Sequence, residues 1–174
     1  MNLKQQLEQI ITNEELPPLV RHKALTSCIV DQQSFDELCC YFYHPNKHVV
    51  RYAADVLAKI TVKNPSYIQS HKAEVLSLLS STKNIGLKSH ITSMACKLAL
   101  TEDELGIVWH TLTTFALDKK EARSVRAYSM LSLYSLLPLY PELKEDFSLT
   151  VSGIKDEEAP SLKAVVRTVS RRKR

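Results

Sequence analysis

An aliphatic residue followed by a base opens one amphipathic segment after another along this chain. The pair stands at Val20–Arg21, Val50–Arg51, Leu87–Lys88, Val125–Arg126 and Leu162–Lys163, at offsets of 30, 37, 38 and 37 residues. Within the segments, apolar residues recur at helical spacing. Val50, Ala53, Ala54, Leu57 and Ile60 lie along one helix face, as do Leu87, Ile91, Met94, Ala95 and Leu98. Leu162, Val165, Val166 and Val169 repeat the pattern, and no alternating run suggests a strand. An interval near 37 residues accommodates two helices and two turns, so each interval reads as one helical hairpin. Proline and asparagine punctuate the intervals at Pro17–Pro18, Pro45–Asn46, Asn64–Pro65, Pro138, Pro141 and Pro160.

A second amphipathic segment precedes each pair: Leu3–Ile11, Phe35–Tyr43, Tyr67–Leu79, Glu104–Leu117 and Leu143–Ile154. The expectation is five hairpins, each with an A helix and a B helix, about ten helices in all. Glycine supports this. The chain has 3 glycines in 174 residues, where average usage would give about 12. Hairpin turns and phosphate-cradling loops draw on glycine, whereas two-helix repeats need little of it. A hairpin cannot bury its apolar face alone, so neighbours must stack to form a shared core.

The stretch PNKHVVRYAADVLAKI resembles the second half of a HEAT repeat: a polar turn, Val-Arg, then small and aliphatic residues along one face. ARSVRAYSMLSLYSLL, APSLKAVVRTVS and ELPPLVRHKALTSCI are similar. IGLKSHITSMACKLAL departs furthest, with Lys88 for arginine and Ile91 where the family prefers alanine. The resemblance covers nearly the whole chain. It implies an all-α, right-handed α-α superhelix (a HEAT-like solenoid) of about five hairpins, with B helices on a concave face and A helices on a convex one. Residues 1–174 then form a single HEAT-like repeat domain, and residues 163–174 a basic C-terminal helix or tail.

Charge is distributed unevenly. The chain carries +4, but Lys163 to Arg174 contributes six positive and no negative charges, which leaves −2 for residues 1–162. Overall basicity is therefore no argument for nucleic-acid binding. The terminal cluster SRRKR could attract a polyanion, yet no aromatic residue interleaves with it for base stacking. A solvated helix end is the preferred reading.

The ladder Arg21, Arg51, Lys88, Arg126, Lys163 has two readings, an anion-binding strip or a set of internal braces. The resemblance implies braces, bridging turns and neighbouring repeats through acidic partners. Glu15 and Glu157 stand six residues before Arg21 and Lys163, where such partners would sit. Pro45, Thr82 and Lys120 hold the equivalent places before Arg51, Lys88 and Arg126.

Catalytic chemistry finds little support. His44 and His48 have i, i+4 spacing, but Pro45 interrupts the helix that would align them. No HExxH, CxxC or GxSxG motif occurs, so neither a metal nor a cofactor is implied. Cys28, Cys39, Cys40 and Cys96 read as small hydrophobes in a reducing, cytoplasmic setting. MNLKQQLEQII lacks the unbroken apolar run of a signal peptide, and no stretch approaches the roughly 18 apolar residues of a membrane span. Some helical-repeat proteins resembling HEAT arrays are DNA glycosylases that use groove tryptophans and an aspartate. Here the single tryptophan, Trp109, falls on an A helix, with Asp118 about two turns on.

The reading is thus a non-catalytic scaffold binding a protein or peptide along the concave B-helix face. Its candidate lining residues are Arg51, Tyr52, Asp55, Lys88, Thr92, Arg126 and Lys163. Tyr52 is the main aromatic candidate, because tyrosine offers amphipathic area at low entropic cost. Nucleic-acid binding through the basic C-terminus, with glycosylase-like chemistry, is the alternative from another class. A third reading is an accessory subunit of an enzyme. No membrane partner is expected.

Overall fold

The computed structural model describes residues 2–156 and 159–171. Among the described residues there are ten α-helices and no strand. They are α1 Leu3–Thr12, α2 Pro18–Cys28, α3 Gln32–Cys39, α4 Lys47–Lys63 and α5 Lys72–Ser81. Then follow α6 Ile85–Ala95, α7 Glu102–Leu117, α8 Arg123–Leu136, α9 Lys144–Ile154 and α10 Pro160–Arg171. The fold class is the all-α hairpin class expected from the repeat.

The helix ends explain how so few glycines suffice. Side chains cap the starts. Asn2, Asp31 and Thr101 close reciprocal capping boxes with Gln5, Ser34 and Glu104, and Asn46 and Asn84 accept from His48 and Leu87 amides. Pro17–Pro18 starts α2 with the fixed φ that suits a first turn. At the other ends the chain leaves through extended residues such as Asn13, Ile29, Thr82 and Asp118. No described residue has a positive φ, so left-handed glycine caps are not used.

Two segments differ from the expected helices. The A segment at Tyr67–Leu79 begins as a 3-10 turn, Tyr67–His71, and becomes α-helical only at Lys72. The segment ending at Tyr43 tightens into a 3-10 turn, Cys40–Tyr43, after α3. Both place a compact turn where aromatic side chains crowd the backbone. Tyr67 packs 5.6 Å from Phe35, and Tyr41 stacks on His44 at 6.0 Å.

The helices divide into two compact units, Met1–Ser70 and His71–Arg174. In the first, α1 pairs with α2 and α3 with α4, while α2 packs on α4 and α1 on α3. Its core is Leu7, Ile11, Leu25, Phe35, Leu38, Leu57 and Ile68, all buried. In the second, the hairpins α5–α6, α7–α8 and α9–α10 stack so that α6, α8 and α10 form one row and α5, α7 and α9 another. Leu79, Leu87, Ile91, Met94, Leu112, Leu133, Phe147 and Leu162 fill the space between. Each such side chain contributes about 1.5–3 kcal/mol by leaving water, offsetting the entropy of ordering the chain.

Polar contacts between neighbouring hairpins repeat the sequence period. The Tyr41 hydroxyl donates to the Lys4 carbonyl and the Tyr67 hydroxyl to that of Val30, both across 37 residues. The Gln32 amide donates to Ser70 Oγ across 38, and Ser89 Oγ to Ser124 Oγ across 35. No helix among the described residues is long and apolar enough to cross a membrane.

Candidate interaction surface on the B helices

In the first unit the B helices α2 and α4 lie side by side, and their facing side chains interlock. Arg21 is buried. Its Nη2 donates to the Leu16 carbonyl at 3.1 Å, and its guanidinium carbon lies 4.7 Å above the Tyr52 ring. The carbonyl belongs to the turn leaving α1, where backbone acceptors lack helical partners. Arg21 therefore braces the hairpin as the resemblance implied, though through a carbonyl and a ring face. The expected partner, Glu15, is an exposed residue of the same turn.

One turn further on, Lys59 Nζ donates to Asp55 Oδ2 at 2.8 Å, and His22 Nε2 is 3.1 Å from the same oxygen. Lys59 Nζ also lies 3.0 Å from His22 Nε2. Burial holds the His22 pKa below the ordinary histidine value, the Lys59 charge adds to this, and Asp55 opposes both. A bare Nε2 accepts from Lys59, and an Nε2–H donates to Asp55, so either tautomer of the ring is tied to the cluster. Tyr52 and Asp55 are half-buried members of this cluster, whereas Arg51 beside them is exposed. Sequence reasoning missed His22 and Lys59. Their separation of 37 residues, one repeat, was the signal available.

In the second unit Lys88 pairs with Glu121 and sits 4.1 Å above the Phe115 ring. Arg126 is buried, with Nε donating to the Ala116 carbonyl at 2.9 Å, in the last turn of α7. It too braces its own hairpin, where Lys120 had offered no acidic partner. Thr92 is wholly buried, its Oγ1 donating to the Ser89 carbonyl at 2.8 Å. Thr92 therefore belongs to the interior and not to an exposed face, whereas Arg126, though buried, also borders a cleft beside the start of α8. The reason for Thr92 is that α6 packs on both α5 and α8, so most of its circumference is covered. Lys163 is exposed on α10. Glu157, its expected partner, and Arg172–Arg174 of the basic cluster lie outside the described residues.

A cleft of about 580 Å³ opens beside the start of α8, lined by Lys119, Glu121, Arg123, Arg126, Gly153 and Asp156 together with Ala159. Its charges are mixed, and Glu121 is already bound to Lys88. Nothing there resembles a nucleophile with its base. Among the described residues no group of three or more His, Cys, Asp or Glu could hold a metal ion. His44 Nδ1 accepts from the Asn46 amide within the turn, and His48 lies beyond it on α4. The Cys96 thiol is pushed up to about 12 by burial, which removes it as a nucleophile. Trp109 is buried in α7, so its ring is not offered to a flipped base.

Compared with known protein families, the chain matches the model described as a HEAT repeat domain over residues 3–173. No curated protein and no solved structure matches it.

Proposed function

Because the chain belongs to the HEAT repeat family, we propose that it is a non-catalytic scaffold that binds a protein or peptide along its B helices. The observation that carries this reading is the cluster on α2 and α4. His22, Asp55 and Lys59 fix one another by hydrogen bonds, Tyr52 rests against Arg21, and Arg51 stands exposed beside them. Polar groups already held in place lose little entropy on binding, and a tyrosine with an arginine nearby is the usual make-up of an interface anchor. Lys88 and Lys163 are the corresponding contact residues of the second unit. Arg126 and Thr92 support them from within. In this reading residues 1–174 act as one HEAT-like domain in a reducing, cytoplasmic setting, which suits its four free cysteines.

The test is selection of a binding peptide from a display library, followed by calorimetry with the purified pair. Arg51→Glu with Tyr52→Ala should weaken binding by at least about tenfold, the loss of one anchor contact. Gln6→Ala on the A helix α1 should leave it unchanged. The opposite pattern would place recognition on the A helices and end the proposal.

A further inference from the structure

Two lysine–glutamate pairs among the described residues of the second unit follow one rule. Lys72 pairs with Glu104, and Lys88 with Glu121, across 32 and 33 residues. Each lysine reaches an acid of the next hairpin, placed at or just before the start of a helix. Glu104 is in the first turn of α7, and Glu121 precedes α8 by two residues. A carboxylate there is favoured by the helix dipole as well as by the lysine. The Glu104 carboxyl is accordingly held below the usual glutamate range, first by Lys72 and then by the Thr101 amide. Lysine on one hairpin and glutamate at the helix start of the next thus ties neighbouring hairpins at two places in the second unit.

Helix α10 carries the donor half of this arrangement. Lys163, Arg167 and Arg171 are exposed and follow one another at four-residue steps. Four residues advance a helix by about 6 Å and return to nearly the same face, so the three cations form a row. No side-chain ion pair of these three occurs among the described residues. By contrast Arg21, Lys59, Lys72, Lys88 and Arg126 each meet an acceptor. The apolar side of α10, Leu162, Val165 and Val169, is buried, while α10 packs on α8 and α9. The charged side, with Lys163, Arg167 and Arg171, is the exposed one.

We infer that the α10 row docks an acidic helical segment of a partner protein, whose first-turn glutamates take the part that Glu104 and Glu121 take within the chain. The inference rests on the reading of the B helices as the binding elements, and it names the partner's chemistry. A nucleic acid fits the row less well. Helix α10 has no aromatic residue on which a base could stack, and α9 beside it begins with exposed Glu145 and Asp146, with Glu142 just before.

The experiment uses the full chain and fluorescence anisotropy. The probes are a labelled alanine-based helical peptide with glutamates in its first turn and every four residues, its glutamine counterpart, and a labelled single-stranded DNA of equal charge. The glutamate peptide should bind, more weakly as salt rises, and the glutamine peptide should not. Lys163→Glu with Arg167→Glu and Arg171→Glu should weaken binding by at least about tenfold. The triple glutamine variant should give an intermediate loss at unchanged helicity, which separates lost charge from lost folding. Lys4→Glu, an exposed charge reversal on α1 outside both surfaces, should leave this peptide's binding intact, and Arg51→Glu with Tyr52→Ala is scored only against the library-selected peptide, so failure at α10 and failure of the α2–α4 surface are read separately. Equal binding by the triple variants, tighter binding of the DNA, or no binding at low salt would each overturn the inference. So would a wild-type dimer that dissociates in the variants, because the occupant would then be a second copy.

Discussion

Replacing Arg126 with methionine tests whether the hairpins are braced by their own arginines. The substitution keeps the length and much of the apolar stem but removes every donor. At stake is a buried, charge-assisted bond from Nε to the Ala116 carbonyl at 2.9 Å, closing the last turn of α7 against α8. Such bonds contribute about 1.5–3 kcal/mol, and the Ala116 carbonyl would lose its charged donor. Relief of the cost of burying a guanidinium works the other way. The net expectation is a loss of about 2 kcal/mol. For a chain of this size that lowers the melting temperature by about 4–8 °C if unfolding is a single transition. Circular dichroism melts and urea titration would report it, and amide exchange in α7 and α8 would show whether the loosening is local. Arg51→Met is the comparator, since Arg51 is exposed, and it should change stability by less than about 0.5 kcal/mol. If Arg126→Met also lands within about 0.5 kcal/mol of the parent, the brace contributes nothing and the reasoning fails.

Three further outcomes are expected. Gly106→Ala, in the middle of α7 with open space around its missing Cβ, should stabilise the protein by about 0.5–1 kcal/mol in a urea titration. Stability should fall as pH drops through about 6.5, because the unfolded His22 takes a proton that the folded ring resists. His22→Gln should flatten that step, while a second fall in the carboxylate range should remain, where Glu104 and Asp31 lose their depressed native pKa values. With a thiol reagent at neutral pH, exposed Cys40 should react first and buried Cys96 only after unfolding, as site-by-site mass spectrometry would show.

The repeat was legible because burial dictates it. Val50, Ala53, Ala54, Leu57 and Ile60, picked out by spacing alone, are all buried on α4. Leu162, Val165 and Val169 are likewise buried on α10. Partner choice was much less legible. Glu15 and Leu16 are adjacent, and only the path of the turn decides that Arg21 meets the Leu16 carbonyl. Thr92 sits one residue from the core position Ile91, so its burial depends on how far α5 and α8 wrap α6, a tertiary quantity. In the cluster of His22, Asp55 and Lys59 only the i,i+4 pair Asp55–Lys59 is local, and His22 joins it from 33 and 37 residues away. Its one sequence signal is that His22 and Lys59 stand one repeat apart, much as Glu104 and Glu121 stand 32 and 33 residues from Lys72 and Lys88.

Among the described residues the arginine braces and the ties between hairpins differ in reach, and that has an evolutionary consequence. Arginine braces close over 5 or 10 residues, inside a single hairpin, whereas ties between neighbours span 32 to 38. Copying or excising a whole hairpin therefore keeps the bonds closed inside it and the spacing of those that join it to its neighbours. A single residue inserted in the middle of α4 does the reverse. It turns everything beyond it by about 100° and swings Ile60 out of the interior. Lineages of such chains should vary by whole modules and by their turns, and very rarely by single-residue insertions or deletions within their helices.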